Sequence, residues 1–134
     1  SKQNNYFLWP VHPKINKLIL RENIFIPKNI IYTKPLSYFE TLASIKDSIF
    51  VITDSGGVQK ETFFLKKKCF VLRNETEWSG LIKLNAIKLI GEDISKINNS
   101  RVFLKSKIIS TKEFGDGKST LKIAKLVKKI LKIK

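Results

Sequence analysis

Short runs of β-branched and aromatic residues recur along this chain, each separated from the next by a helix-length segment. The runs are Tyr6 to Val11, Asn29 to Thr33, Ile49 to Thr53, Cys69 to Arg73 and Asn85 to Ile90. A connection of that length carries the chain back to the starting end of a sheet, so neighbouring strands run parallel. The class expected is therefore α/β with a parallel sheet. Tyr6 to Val11 reads as a buried strand that must end near Pro10. Helices are expected over Ile15 to Glu22, from Pro35-Leu36-Ser37 through Lys46, over Gly56 to Lys67, over Glu92 to Lys107 on a weaker pattern, and from Lys118 onward. Ser37 suits an N-cap, with Glu40 three residues on to complete a capping box.

At 134 residues the chain suits one domain spanning 1–134 and can bury a core. Hydrophobic residues make up 43 %, which argues against disorder. No apolar run approaches the roughly eighteen residues a transmembrane helix needs. The start, SKQNNYFLW, lacks the pattern of a signal peptide. Cys69 is the only cysteine, so an internal disulfide and a cysteine metal cluster are both excluded, and a reducing, cytoplasmic setting is expected.

The net charge of +15 raises nucleic acid or an anionic membrane as partners. The lysines, however, are spread from Lys2 to Lys134, and arginine, the better reader of bases, occurs only at Arg21, Arg73 and Arg101. That distribution fits lysines solvating every face, and nucleic acid is the disfavoured partner. The tail places Leu121, Ile123, Ala124, Leu126, Val127, Ile130 and Leu131 on an apolar stripe fringed by lysines. Residues 118–134 therefore read as a docking helix, with a membrane-surface helix as the alternative.

Parallel sheets bind ligands beyond the carboxyl ends of their strands. At one such end stands TDSGGVQKE, Thr53 to Glu61. Glycines let a ligand approach the backbone. The exposed N–H groups of a helix start, with the positive end of its dipole, suit phosphate oxygens. Ser55 adds a hydroxyl donor. Glu61, four residues beyond Gly57, shares a helix face with it about 6 Å further on, where a carboxylate can accept both hydroxyls of a ribose. By themselves these residues fit equally a Gly-Gly turn followed by a solvated glutamate.

Taken with WPVHP, CFVLRNETEW and FGDGKST in that order, DSGGVQKE resembles the C-terminal half of the non-hydrolysing UDP-N-acetylglucosamine 2-epimerases, from about Phe7 to Ala124. Thr76-Glu77-Trp78 with Gln59-Lys60-Glu61 is similar to the branch that includes epimerases of diacetamido-uronic acids. The resemblance implies a GT-B arrangement of two Rossmann-like domains, helices covering both faces of each sheet, and UDP held mainly by the second domain. It implies a diphosphate turn at Ser55, Gly56 and Gly57, a ribose glutamate at Glu61, a substrate contact at His12, and a cleft at Arg73, Thr76, Glu77 and Trp78. For Gly115-Asp116-Gly117 it implies a structural role. Neither metal nor other cofactor is implied. The expected partners are UDP or a UDP-sugar and the N-terminal domain of a parent protein, itself expected to be a homodimer. That domain carries the family's proton-transfer carboxylates. The chain is accordingly expected to be a fragment that also lacks the strand-helix unit preceding WPVHP, leaving apolar surface uncovered.

The chain departs from the family pattern in places. Trp78-Ser79-Gly80 has no acid two residues after the tryptophan, where that branch usually keeps one. Asn85 stands where glycine is common, although Asn tolerates a left-handed backbone. No base-stacking aromatic is assigned at Thr41. Gly115 to Thr120 (GDGKST) suggests a phosphate-binding P-loop, but Lys112 stands where the first glycine belongs and no clear strand precedes it. The function implied is inversion at C2 of UDP-N-acetylglucosamine through elimination and re-addition of UDP, in surface polysaccharide precursor synthesis. The rival readings are the UDP-sugar domain of a GT-B glycosyltransferase and a non-enzymatic basic module.

Overall fold

The computed structural model describes residues 5–131, so Lys132, Ile133 and Lys134 of the expected C-terminal helix lie outside the described residues, as do Ser1 to Asn4. The chain packs as two compact units, Ser1–Ser48 and Ile49–Lys134.

In the first unit β1 (Phe7–Pro10) pairs in parallel with β2 (Ile30–Thr33), Phe7 opposite Ile30 and Pro10 opposite Thr33. The crossover between them is α1 (Pro13–Arg21). His12 is its N-cap and Pro13 opens its first turn, where a missing N–H costs nothing. α2 (Tyr38–Asp47) follows β2, and Ser37 and Glu40 form the expected capping box. The expectation of a buried first strand is not met. Every residue of β1 is exposed, with Leu8 at 46 % and Trp9 at 38 % of full accessibility. β1 belongs to a two-stranded sheet, and two strands cover little of each other's faces. Ile31 and Tyr32 on β2 are exposed as well.

The second unit holds a three-stranded parallel sheet of β3 (Phe50–Thr53), β4 (Lys68–Val71) and β5 (Ile87–Leu89), in that order. α3 (Gly56–Phe64) links β3 to β4, and α4 (Ser79–Lys83) lies between β4 and β5. Two short helices, α5 (Ser95–Asn98) and α6 (Arg101–Lys105), then precede the long α7 (Ser119–Leu131). All strand pairs in both sheets are parallel, as the crossover lengths imply. The strands form two sheets, of two and three strands, rather than one continuous sheet.

β4 is the centre of this unit and is buried along its whole length. Cys69 and Val71 pack with Leu81, Ala86 and Ile87, and Phe63 of α3 lies against that cluster. Phe70 points to the opposite face, edge-on to Phe50 and to Phe103 of α6. Helices therefore contribute to both faces of this sheet. Lys68 shares the Phe70 face. Its ammonium bonds the Asn85 carbonyl and Ser106 Oγ (3.1 Å) and lies 4.4 Å from the Phe103 ring centre, and burial lowers its pKa.

Three helices end on the same device. After α1, α3 and α4 the chain enters a left-handed residue, Asn23 (φ 48°), Lys66 (φ 56°) and Asn85 (φ 56°). In each case the N–H of the next residue turns back to the last helical turn: Ile24 to Ile19, Lys67 to Thr62 and Ala86 to Leu81, at 2.8–3.0 Å. This closure stops α3 at Phe64, short of the expected Lys67. It also explains Asn85, whose side-chain amide further bonds Ser106 Oγ (2.7 Å) and the Lys107 carbonyl (3.1 Å). The helix expected over Glu92 to Lys107 is broken into α5 and α6 by Asn99-Ser100. Ser100 turns its hydroxyl onto the Lys96 carbonyl, competing with helix continuation.

Candidate functional site

The tip of β3 and the start of α3 form the first part of the site. The Ser55 backbone N–H bonds Thr53 Oγ1 at 3.0 Å, which fixes the turn. Ser55 is the N-cap of α3, yet its hydroxyl makes no capping bond, and the first turn carries no acidic residue. The first turn of α3 therefore supplies no counter-charge to its positive end, although Asp54 stands just before the cap. Gly56 and Gly57 do not take positive φ; their contribution is space. A Cβ on Gly56 would stand 3.3 Å from Glu77 Oε2. Glu61, one turn further along, is half-buried and takes part in no ion pair among the described residues.

The segment after β4 forms the second part. Arg73 donates from Nη1 to both carboxylate oxygens of Glu77, at 3.0 and 3.2 Å. A backbone hydrogen bond within Glu77 and the Arg73 guanidinium hold that carboxyl below the usual carboxylate range. Thr76 donates to Gln59 Oε1 at 2.6 Å and accepts from the Trp78 backbone N–H at 3.0 Å. Trp78 donates from Nε1 to the Gly56 carbonyl at 2.9 Å, and Lys60 lies over its ring at 4.5 Å. The two parts are thus joined by side chains. Arg73, Glu75, Thr76 and Glu77 line a small open cleft of about 250 Å³ beside the turn.

Gln59 carries part of the branch resemblance in the sequence, but its burial and its link to Thr76 were not read there. It is fully buried on α3, where Thr62 lies beside it, and its Nε2 has no hydrogen-bond partner among the described residues. Its spacing of three from Thr62 is a helical signal, but two polar residues do not advertise an inner face.

His12 lies in the first unit. Its Nδ1 accepts the Lys14 backbone N–H at 3.2 Å, so it caps its own helix. A larger open cleft of about 500 Å³ in the same unit is lined by Val11, Pro13, Asn16, Tyr32, Thr33, Lys34 and Pro35, beyond the carboxyl ends of β1 and β2. Gly115 (φ 86°) and Gly117 (φ 73°) shape the loop ahead of α7. Between them Asp116 accepts the Lys118 N–H and pairs with Lys122 at 3.1 Å. That arrangement is structural and leaves no P-loop. Among the described residues no group of histidine, cysteine and acidic side chains could hold a metal ion, and no helix is long and apolar enough to cross a membrane.

The family model described as UDP-N-acetylglucosamine 2-epimerase matches residues 1–128. A UDP-N-acetylglucosamine 2-epimerase homolog of Methanococcus maripaludis is 31 % identical over 134 residues, covering 96 % of this chain and 38 % of that protein. The UDP-2,3-diacetamido-2,3-dideoxy-D-glucuronate 2-epimerase of Pseudomonas aeruginosa is 33 % identical over 123 residues, covering 90 % of this chain and 34 % of that protein. A crystal structure of the Methanocaldococcus jannaschii UDP-GlcNAc 2-epimerase in complex with UDP-GlcNAc and UDP superposes with a TM-score of 0.80 at 31 % identity, covering 91 % of this chain and 35 % of that one. The chain thus spans little more than a third of the length of these relatives. With its parallel α/β architecture and a family match over nearly its whole length, the chain belongs to the UDP-N-acetylglucosamine 2-epimerase family.

Proposed function

We propose that this chain is the UDP-binding portion of a non-hydrolysing 2-epimerase that inverts C2 of UDP-N-acetylglucosamine or a close relative. The observation that carries the reading is the start of α3. An uncapped helix N-terminus with an uncommitted Ser55 hydroxyl and two glycines lies against the Glu77 carboxylate, which Arg73 holds and which lines the neighbouring cleft. Ser55, Gly56 and Gly57 would hold the diphosphate, and Glu61 the ribose hydroxyls. Arg73, Thr76, Glu77 and Trp78 would form the cleft wall, and His12 would contact substrate. Catalysis by elimination builds negative charge on the departing UDP, and fixed N–H donors with a nearby guanidinium stabilise that charge.

The remaining chemistry belongs to the N-terminal domain of a longer, homodimeric, cytoplasmic enzyme acting in surface polysaccharide precursor synthesis. That domain would supply the carboxylates that move the C2 proton. This chain alone is accordingly expected to bind UDP weakly without epimerising: UDP-N-acetylglucosamine in deuterated water should gain no deuterium at C2. The deciding experiment is an NMR titration with UDP, UMP and ADP. UDP should shift amides from Ser55 to Glu61 more strongly than ADP does. An equal response to both nucleotides, or shifts elsewhere, would overturn the reading.

A further inference from the structure

We propose that Glu77 is the resident anion of the Gly56 turn, and that a diphosphate enters by exchange, with Arg73 passing from the Glu77 carboxylate to the phosphate. This rests on the reading of the α3 turn as a diphosphate site.

Three observations point to exchange. Gly56 opens α3, whose first turn has no acidic side chain, and the nearest atoms to a Cβ on Gly56 would all belong to the Glu77 carboxylate: Oε2 at 3.3 Å, Cδ at 3.6 Å and Oε1 at 3.7 Å. The carboxylate therefore occupies the space that glycine leaves open, where a phosphate would approach the helix end. Second, the guanidinium nearest this space is already engaged, since Arg73 bonds both Glu77 oxygens. An incoming phosphate must compete for that cation or do without it. Third, the backbone on either side of Glu77 is tethered, by Thr76 to Gln59 and by Trp78 to Gly56, whereas the Glu77 side chain is 57 % exposed. The carboxylate can swing into solvent without disturbing its anchors.

Exchange lowers the affinity of every anion that must displace the carboxylate, by a factor set by how fully Glu77 occupies the turn. A Glu77 that merely orients Arg73 for the ligand would have the opposite effect when removed, so the sign of one measurement decides.

The test is calorimetric titration of the wild-type chain, Glu77→Gln and Glu75→Gln with UDP, UMP and inorganic pyrophosphate at low ionic strength. Glu75 lines the same cleft, but the atoms nearest a Cβ on Gly56 are those of Glu77, so the Glu75 variant controls for a general gain of positive charge. Under exchange, Glu77→Gln binds UDP, UMP and pyrophosphate about three- to tenfold tighter, and exceeds Glu75→Gln in every case. The wild-type Glu77 Cδ resonance should also move on adding pyrophosphate. Unchanged or weaker binding by Glu77→Gln overturns exchange while leaving the diphosphate site standing. Equal tightening in both variants overturns it too, since charge alone would then suffice. Failure of all three proteins to bind either UDP or pyrophosphate overturns both exchange and the site.

Discussion

Trp78 and Gly56 are 22 residues apart in sequence, yet the indole N–H of one donates to the backbone carbonyl of the other at 2.9 Å. The bond ties the segment after β4 to the first residue of α3, and Lys60, a turn along that helix, lies against the same ring. Trp78→Phe keeps an aromatic ring but removes the donor. We expect a loss of about 1 kcal/mol of stability, the net worth of one hydrogen bond in a partly buried place, measured by urea denaturation. UDP binding should weaken as well, because the turn loses its brace. Unchanged stability with unchanged UDP affinity would show that the bond does not hold the turn.

Glu61→Gln should weaken UDP binding while leaving pyrophosphate binding unchanged or slightly tighter. A carboxylate accepting hydrogen bonds from ribose hydroxyls is worth roughly 1.5–3 kcal/mol before losses at a solvated site, and a carboxamide offers one weaker acceptor. Pyrophosphate has no ribose. Ser55→Ala should weaken both ligands, because its hydroxyl lies at the shared phosphate turn. Calorimetry with both ligands checks the pattern. A Glu61→Gln variant with full UDP affinity would return Glu61 to the part of an acid near a helix start.

Left-handed positions give two opposite expectations. Gly91 has φ 59°, and a Cβ there would collide with Asn74 Oδ1. Gly91→Ala should cost about 1–2 kcal/mol for the backbone alone and more for the collision. Lys66 holds φ 56° with a full side chain at the end of α3. Lys66→Gly relieves that strain and should raise stability by roughly 0.5–1 kcal/mol after the added freedom of the unfolded chain is subtracted. Paired thermal melts would check both signs.

Cys69 is fully buried in β4, and burial pushes its thiol from its ordinary value near 9 up to about 12. In the unfolded chain the thiol ionises above about pH 9; in the folded chain it stays protonated. Its contribution to stability is therefore whole below pH 9 and is lost as pH rises toward 12, by up to roughly 4 kcal/mol. Comparing alkaline denaturation of the wild type with Cys69→Ala isolates that loss. At pH 8 a thiol reagent should label the native protein only as fast as it unfolds.

Parallel strand pairing, the Ser37–Glu40 cap and the left-handed Asn85 were all legible in the sequence, because each rests on local chemistry. β-branched runs mark strands, a serine three residues before a glutamate marks a helix start, and asparagine marks a left-handed turn. α4 was not legible. A five-residue helix shows no periodicity, although this one delivers Leu81 to the core. The burial of β1 was misread because an apolar run states what could be covered, not whether anything covers it. For the site, the positions after each strand could be picked out from topology. The links from Trp78 to Gly56, Thr76 to Gln59 and Glu77 to Gly56 could not, since side chains meeting across two loops leave no mark in spacing.

The exposed faces of β1 and β2 meet a chain of charge +15, and the two set opposite tendencies in solution. Leu8, Trp9, Ile31 and Tyr32 are adhesive surface, while the lysines make every copy repel every other. At 0.01 M salt the repulsion reaches about 30 Å and should keep copies dispersed; at 1 M it reaches about 3 Å, little more than the width of a water molecule. Colloidal behaviour should then invert the usual handling rule. Raising the salt to suppress nonspecific anion binding would remove the barrier that keeps the apolar strands of different copies apart, and light scattering should rise with ionic strength.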